Sequence, residues 1–173
     1  LNTGQQNVLN LLSTDAANGK SYLAQELENY WISIGLQVRR LTYDEDFLAE
    51  DSRYIMAKDI KDICPDIQPN EIAIIEYPNL NDHSITPALL SLGAVNLWVT
   101  RANRTWKDVD QKALKELQGQ LDNKDSLFMY LTESSRYAVE EFVGQLPPYT
   151  KFKNFVYRIS QLGLTATENS RAV

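Results

Sequence analysis

VLNLL at residues 8–12, followed by TDAANGKS at residues 14–21, is the most informative part of this sequence about the fold. A short apolar run leads into a loop that ends in Gly19, Lys20 and Ser21, where a helical pattern begins. Proteins hold polyphosphates with such a loop: its backbone N–H groups and the helix N-terminus surround the phosphate oxygens, the lysine bridges the outer phosphates, and the serine hydroxyl can ligate Mg²⁺. The general pattern starts with glycine, whereas this loop starts with threonine. The predicted phosphate-binding residues are Thr14, Asp15, Ala16, Ala17, Asn18, Gly19, Lys20, Ser21 and Tyr22.

The size and charge of the chain restrict its class. With 173 residues it is long enough for one domain with a proper core, and we predict that domain over residues 1–164 with a polar tail over residues 165–173. The net charge of −6 argues against nucleic-acid binding, which needs clustered Lys and Arg. The one cysteine, Cys64, cannot form an internal disulfide or a cysteine metal cluster. No apolar run is long enough to span a membrane, and because the chain begins at Leu1 we expect a domain of a longer protein.

Short buried runs alternate with longer helical periods, which is typical of a parallel sheet covered by helices. The predicted strands are residues 8–12, 36–43, 72–75, 95–100 and 127–131. The predicted helices begin at Ser21, Ser52, Thr86 and Thr105, with two more at residues 134–142 and 152–162. The third strand is the most apolar, so we expect it to be central. The fold class is therefore predicted as α/β, with three layers and a mostly parallel central sheet flanked by helices.

Acidic residues follow the second and third predicted strands. Asp44 and Asp46 come after the second strand, and Glu76 comes after the third. Because an open parallel sheet binds its ligand beyond the carboxyl ends of its strands, these carboxylates should face the loop that contains Lys20. Mg²⁺ needs only a hydroxyl and one or two carboxylates besides water, so Ser21, Asp44 and Glu76 are the predicted metal ligands. Each signal also has a simpler interpretation, namely a solvated acidic turn, a surface carboxylate, or a tight turn before a solvated lysine.

These residues resemble the motifs of the cytoplasmic domain of bacterial tyrosine kinases (BY-kinases) of exopolysaccharide and capsule biosynthesis. That family belongs to the same P-loop branch as the MinD and ParA ATPases. Its phosphate loop starts with Ser or Thr and reads Ser-Ser-x-x-x-Glu-Gly-Lys-Ser, to which residues 13–21 are similar. Its Asp-x-Asp and Asp-x-Pro-Pro motifs resemble residues 44–46 and 76–79, and its Val-Arg-x-x-x-Thr stretch resembles Arg101 and Thr105 in the fourth strand and beyond. The likeness runs in order along most of the chain, and the phosphate loop is its specific part.

The resemblance implies a P-loop NTPase-like domain that binds ATP and Mg²⁺. In it, Lys20 would hold the phosphates, Asp44 would act on the attacked hydroxyl or on the metal with Asp46 beside it, and Glu76 would hold an outer water of the metal. Lys20, Asp44 and Asp46 are therefore the predicted catalytic residues of a protein-tyrosine kinase or ATPase. The resemblance also implies a domain of a membrane protein, on the cytoplasmic side of the bacterial inner membrane. Its expected partners are nucleotide, other polysaccharide-export components and further copies of the chain, with membrane contact only through segments of the parent protein.

Departures from the family pattern leave three functions open. The segment between Asp46 and Glu76 is shorter than in active family members, Glu76 stands where the family has Asp, and residues 165–173 contain no tyrosine. These departures favour a catalytically degenerate kinase-like domain, with a non-catalytic scaffold of the polysaccharide machinery as the alternative. A MinD- or ParA-like ATPase is the third interpretation, which Asp15 at the signature lysine position disfavours. His83 could act on protons, although an exposed loop histidine is the simpler interpretation.

Overall fold

The computed structural model of the protein describes residues 7–135 and 139–140. The described residues form a five-stranded, all-parallel sheet with helices on both faces, which confirms the predicted α/β class and is consistent with a three-layer P-loop-like fold. The strands are β1 (Asn7–Leu12), β2 (Val38–Thr42), β3 (Ile72–Glu76), β4 (Val95–Arg101) and β5 (Leu127–Thr132). The helices are α1 (Lys20–Ser33), α2 (Ser52–Ile55), α3 (Ile60–Ile63), α4 (Pro87–Leu92) and α5 (Asp108–Gln120).

The strand order is β2-β3-β1-β4-β5. β3 is interior, as its apolar sequence predicts, but the middle position belongs to β1, because apolar content reports burial on two faces and not the order in which strands pair. β1 is paired with β3 on one side and with β4 on the other, so that Leu11 lies opposite Glu76 and Leu12 opposite Trp98. The carboxyl ends of the strands consequently meet at one edge of the sheet, beside the loop that follows β1.

Alternate side chains of the strands form two separate cores. On one face, Leu9 and Leu11 of β1 pack with Leu23 and Ala24 of α1. On the other face, Val8 and Leu12 belong to a larger cluster that includes residues from the remaining helices. Its members from α2, α3, α4 and α5 are Tyr54, Ile60, Ile63, Leu89, Leu90 and Leu117. The strand period of two therefore sends successive β1 residues into opposite layers.

The helix predicted over residues 52–63 is two short helices. Asp51, rather than the predicted serine, caps α2. Asp59 then caps α3: its side chain accepts the Lys61 N–H at 2.9 Å, while the Asp62 carboxylate accepts the Asp59 N–H at 3.0 Å. This reciprocal capping satisfies the N–H groups of a new helix start and ends the continuity of the predicted helix.

Helix α5 begins later than the predicted start at Thr105. The Asp110 carboxylate accepts the Lys107 N–H at 2.9 Å, which sets the first turn of the helix there. Trp106 precedes the helix and packs on Trp98 of β4, with 6.1 Å between the ring centroids. An aromatic contact and a side-chain cap thus move the boundary by three residues.

The chain divides into two compact units, Leu1–Glu133 and Ser134–Val173. The described part of the second unit contains a hydrogen bond of 3.1 Å from the Val139 N–H to the Ser135 carbonyl oxygen. The predicted helices at 134–142 and 152–162 lie largely or wholly outside the described residues, as do the predicted domain limits at 164 and 165. Within the part of the chain that the structure describes, no helix combines the length and the apolar character needed to cross a membrane.

A buried polar network joins β1 to β4. Asn10 Nδ2 donates to Asn96 Oδ1 at 2.8 Å and to the Leu89 carbonyl oxygen at 3.2 Å, and Asn96 Nδ2 donates to Ser126 Oγ at 3.1 Å. Gly93, which follows α4, lies against this network. A Cβ atom at Gly93 would stand 2.5 Å from Asn10 Nδ2 and 2.9 Å from Asn96 Oδ1. The side chains that it would meet are fully buried, so they have no room to withdraw.

We therefore expect Gly93→Ala to lower the free energy of unfolding by about 1–3 kcal/mol, because it overpacks a hydrogen-bonded core. Gly119→Ala in α5 is the matched control: a Cβ there meets nothing within 4 Å, and replacing a helical glycine with alanine stabilises a helix by up to about 1 kcal/mol. Urea unfolding of both variants measures the two effects, which should have opposite signs. Equal effects would contradict the close packing at Gly93.

Candidate functional site

A cleft of about 380 Å³ opens at the carboxyl edge of the sheet. Its walls come from the loop after β1, the start of α1, the turn after β2 and the segment after β3. The predicted site residues that line it are Ala16, Lys20, Ser21, Asp44 and Glu76. Residues that the sequence places far apart, on three different strand ends, thus meet around one opening.

The loop after β1 is supported by the end of β5. Gly19 has a φ of 84°, in the left-handed region that favours glycine, and a Cβ atom there would stand 3.3 Å from Thr132 Cγ2. The Thr132 hydroxyl donates to the carbonyl oxygen of the buried Asn18 at 2.9 Å. The glycine is therefore needed both for its backbone conformation and for the close approach of β5.

Lys20 is a buried cation at the start of α1. The residue is only 7% exposed, and its Nζ donates to the Tyr77 carbonyl oxygen at 2.6 Å. Burial lowers the pKa of Lys20 to about 8, and the nearby Glu76 carboxylate partly opposes this shift. An ammonium group has three N–H donors, so Lys20 can hold an anion in the cleft while it keeps the bond to Tyr77.

Glu76 is a buried carboxylate that already has partners. Glu76 is 2% exposed, and its Oε1 accepts hydrogen bonds from Arg40 Nη1 and from Thr42 Oγ1, each at 3.4 Å. Arg40 in turn pairs with Glu28 on α1, with Nε 3.2 Å from Glu28 Oε2. The charge of Glu76 is therefore balanced by Arg40 and Lys20, and its role as a metal ligand stays a prediction.

The two aspartates after β2 have different surroundings. Asp44 adopts a left-handed backbone conformation, with a φ of 71°, and its exposed side chain lines the cleft. Asp46 does not line the cleft: its Oδ2 accepts the Thr42 N–H at 2.7 Å and so closes the turn. The structure thus brings Asp44 to Lys20 and Glu76, whereas Asp46 is engaged in the local fold.

Other predicted phosphate-binding residues direct their side chains away from the cleft. The Thr14 hydroxyl donates to Asp110, and Asp15 forms an ion pair with Arg104. Ala17 is exposed, and Tyr22 is 71% exposed on α1. The side chains of these four residues do not line the cleft, so any contact of theirs with a ligand there would have to come from their backbone.

Tyr43 and His83 form an aromatic pair that also lines the cleft. Tyr43 Oη and His83 Nε2 lie 3.2 Å apart and share a hydrogen bond, and the two rings are 5.5 Å apart. His83 Nδ1 lies 3.9 Å from Glu50 Oε1. Burial, followed by the charges of Asp44 and Glu50, raises the pKa of Tyr43 above its ordinary value. His83 is therefore half-buried beside the site rather than a free loop histidine.

Several residues around the site were missed by the sequence analysis. In the cleft they are Thr42, Tyr43 and Asp82, together with Tyr77 and Asn79, which lie in the motif at residues 76–79 but were not predicted as site residues. Beside the loop the missed residue is Arg104. The family pattern draws attention to Arg101 instead, which forms a surface ion pair with Glu133 at 2.9 Å. No spacing signal links Arg104 to Asp15, since they are 89 positions apart in the sequence.

The cleft offers limited support for a metal ion. Across residues 7–135 and 139–140, no group of three or more His, Cys, Asp or Glu side chains could hold a metal. A cation at Ser21, Asp44 and Glu76 would thus have one hydroxyl, at most two carboxylates and water as ligands. That set suits Mg²⁺, which keeps several waters, and not a zinc-type site.

The arrangement can hold an anionic group. It combines a buried ammonium group, the exposed Ser21 in the first turn of α1 and the positive end of a helix of 14 residues. Its carboxylates lie on the neighbouring strand ends. Comparison of the chain with protein-family models gives no match, and comparison with curated proteins gives no significant match.

Proposed function

We propose that this chain is a nucleotide-binding, catalytically degenerate domain of the BY-kinase type, which serves a protein of exopolysaccharide or capsular polysaccharide biosynthesis or export. The observation that carries the proposal is the buried Lys20 at the head of α1, facing a cleft that Ser21, Asp44 and Glu76 also line. The resemblance of residues 13–21 to the family's phosphate loop supports the family and its cellular setting, on the cytoplasmic side of the inner membrane.

In this proposal the polyphosphate of a nucleotide lies along the loop. Lys20 would donate hydrogen bonds to its outer phosphates, and the α1 N-terminus would add its partial positive charge. The Ser21 hydroxyl would either donate to a phosphate oxygen or ligate Mg²⁺. A bound Mg²⁺ would neutralise phosphate charge, with Ser21 and Asp44 as the residues best placed to hold it.

The contacts of the carboxylates favour a degenerate site. Phosphoryl transfer depends on positioned carboxylates and charge neutralisation around the reacting phosphate. Asp46 is occupied by the Thr42 N–H, and Glu76 by Arg40 and Thr42. Of the predicted carboxylates, Asp44 is the one that is both exposed and part of the cleft wall, so binding without turnover is the function that the geometry supports best.

A scaffold without nucleotide is the second candidate. Lys20 already donates to Tyr77 and lies beside Glu76, so its charge is compensated without a ligand. Such a lysine can serve the fold alone. In that case the domain would act in the polysaccharide machinery through its surface, alone or as an oligomer.

Titration calorimetry with ADP, ATP and inorganic pyrophosphate, each with and without Mg²⁺, separates the candidates. We expect a dissociation constant below about 1 mM for ADP or ATP, which corresponds to about −4 kcal/mol. Lys20→Met should weaken binding by about 10- to 100-fold, because it removes a charged hydrogen bond to phosphate. ATP hydrolysis should stay at the level of the Lys20→Met variant.

Lys112→Met is the matched control, because Lys112 is an exposed lysine of α5 that pairs with Glu116 at 3.9 Å. It should leave the affinity unchanged. Absence of binding at millimolar nucleotide would reject the proposal in favour of the scaffold. ATP turnover that Lys20→Met abolishes would show a working enzyme instead of a degenerate one.

A further inference from the structure

We propose that Arg104 is a positioning residue that holds the phosphate loop in its binding shape by joining Asp15 of the loop to Asp110 of α5. This inference rests on the proposed function for its effect on ligand affinity. The clamp itself, formed by Thr14, Asp15, Arg104 and Asp110, is a feature of the fold that can be tested without ligand.

The guanidinium of Arg104 bridges two carboxylates. Its Nη1 pairs with Asp15 Oδ2, and its Nη2 pairs with Asp110 Oδ2. The side chain of Arg104 is 14% exposed and that of Asp110 is 1% exposed, so the second of these pairs is shielded from solvent. A charge-assisted bond that is shielded from solvent is stronger than a surface ion pair, so the pair with Asp110 fixes the guanidinium, which then presents its other nitrogen to the partly exposed Asp15.

Asp110 has two hydrogen-bond partners besides the arginine, namely the Thr14 hydroxyl and the Lys107 N–H. Burial opposes its ionisation, but hydrogen bonds from the Thr14 hydroxyl, Arg104 and the Lys107 N–H outweigh burial and hold the pKa of Asp110 below its ordinary value. A carboxylate fixed at the first turn of α5 is a rigid support. Arg104 transmits that support to the loop.

The clamp gives hydrogen-bond and ion-pair partners to the two loop residues, Thr14 and Asp15, that open the loop. The general phosphate-loop pattern starts with glycine, and this loop instead places a threonine first and an acid second. The threonine hydroxyl is used to bind Asp110, and the negative charge of Asp15 is neutralised by Arg104. Ser13 Oγ also donates to the Asp15 carbonyl oxygen, at 2.8 Å. The leading residues of the loop are thus held before any ligand arrives, which reduces the ordering cost of binding.

The test compares Arg104→Lys and Arg104→Gln with wild type by amide hydrogen exchange of the ligand-free protein. Lysine keeps the charge but cannot span two carboxylates with a planar fork. We therefore expect both variants to raise exchange at residues 14–19 by about tenfold or more, with β1 and β3 protected as in wild type. Arg101→Lys is the control, because Arg101 is the last residue of β4, three positions before Arg104, and pairs with Glu133 instead of the loop. It should leave loop exchange unchanged.

Pyrophosphate affinity is the second measurement. We expect it to fall about tenfold in both Arg104 variants, because the loop must be ordered when the ligand binds. If Arg104→Lys matches wild type in exchange and in affinity, charge alone suffices and the clamp is refuted. Unchanged loop exchange in Arg104→Gln would refute it as well.

Asp15→Asn serves if the Arg104 variants do not fold, because the Asp15 side chain is 45% exposed and its replacement leaves Asp110 paired. It should raise exchange in the loop while the thermal midpoint stays as in wild type, and an unchanged loop would refute the clamp. The two proposals fail separately. Wild type that binds no pyrophosphate or nucleotide refutes the proposed function, whereas the exchange results decide the clamp in either case.

Discussion

Replacement of Lys20 with methionine should stabilise the protein at pH 7 while it weakens anion binding. Burial lowers the pKa of Lys20 from 10.5 to about 8, and at about 1.4 kcal/mol per pH unit the charged form costs at most about 3.5 kcal/mol of folding free energy. Methionine removes that cost and also removes the bond to the Tyr77 carbonyl oxygen, which contributes about 1 kcal/mol. The expected net gain is about 1–2 kcal/mol. A site residue kept at the expense of stability is typical of functional positions.

The stability gained by Lys20→Met should decrease as the pH rises. Below pH 8 Lys20 is protonated in both the folded and the unfolded protein, so its full cost is present. Between about pH 8 and 10.5 the folded protein has released the proton and the unfolded protein still binds it, so the wild type gains stability as the pH rises. The advantage of Lys20→Met should therefore shrink across this interval.

Urea unfolding of wild type and Lys20→Met at pH 7 and pH 10 measures this shift. The quantity to compare is the difference in unfolding free energy between the two proteins. Burial raises the pKa values of Cys64 and Tyr54, so both groups lower the stability of wild type and variant alike as the pH rises, and their contribution cancels in the difference. Lys112→Met, at an exposed lysine, should change stability at neither pH. Two results would contradict the expected cost of burying the Lys20 charge. One is a Lys20→Met variant that is less stable than wild type at pH 7, and the other is a stability difference between the two proteins that does not change with pH.

Glu76→Gln should lower the free energy of unfolding by about 2–3 kcal/mol. Removal of one partner from a buried ion pair typically costs about 3–5 kcal/mol, because it leaves the other charge uncompensated. Here Lys20 can release its proton and Arg40 keeps Glu28, so the lower figure is expected. Since the Glu76 carboxylate raises the pKa of Lys20, the same substitution should move that pKa below 8.

A double-mutant cycle isolates the interaction energy between Lys20 and Glu76. In the Lys20→Met background, Glu76→Gln should cost about 1 kcal/mol or less, because the buried ammonium group is gone. Glu116→Gln is the control, since Glu116 is 62% exposed in its pair with Lys112 and exposed pairs contribute little. An equal cost of Glu76→Gln in both backgrounds would show that Glu76 is held by Arg40 and Thr42 without help from Lys20.

Much of the fold was predictable because local patterns carry it. The five strands match their predicted runs to within two residues at each end, and Thr86 caps α4 with Pro87 in the first turn as expected. The failures are boundaries that side chains decide. Asp51, Asp59 and Asp110 each accept a backbone N–H and set a helix start where apolar periodicity alone predicts a different one.

The candidate site was predictable in part for a similar reason. Lys20, Asp44 and Glu76 stand at the ends of parallel strands, and topology brings such ends to one edge. Asp46 is different, because its carboxylate can satisfy a backbone donor in its own turn, and the motif does not distinguish that use from a role in the cleft. Their functions in phosphate and metal binding stay predictions.

Periodicity and residues close together in the chain were enough to predict the class of the fold, the first strand, loop and helix, and the edge of the sheet where charged residues gather. Three features became visible only in the folded chain: β1 lies in the middle of the sheet, Arg40 and Lys20 balance the charge of Glu76, and Arg104 reaches Asp15 across 89 positions. Those outcomes depend on which distant side chains share a buried space, and the strength of a charge interaction depends on that burial rather than on sequence spacing.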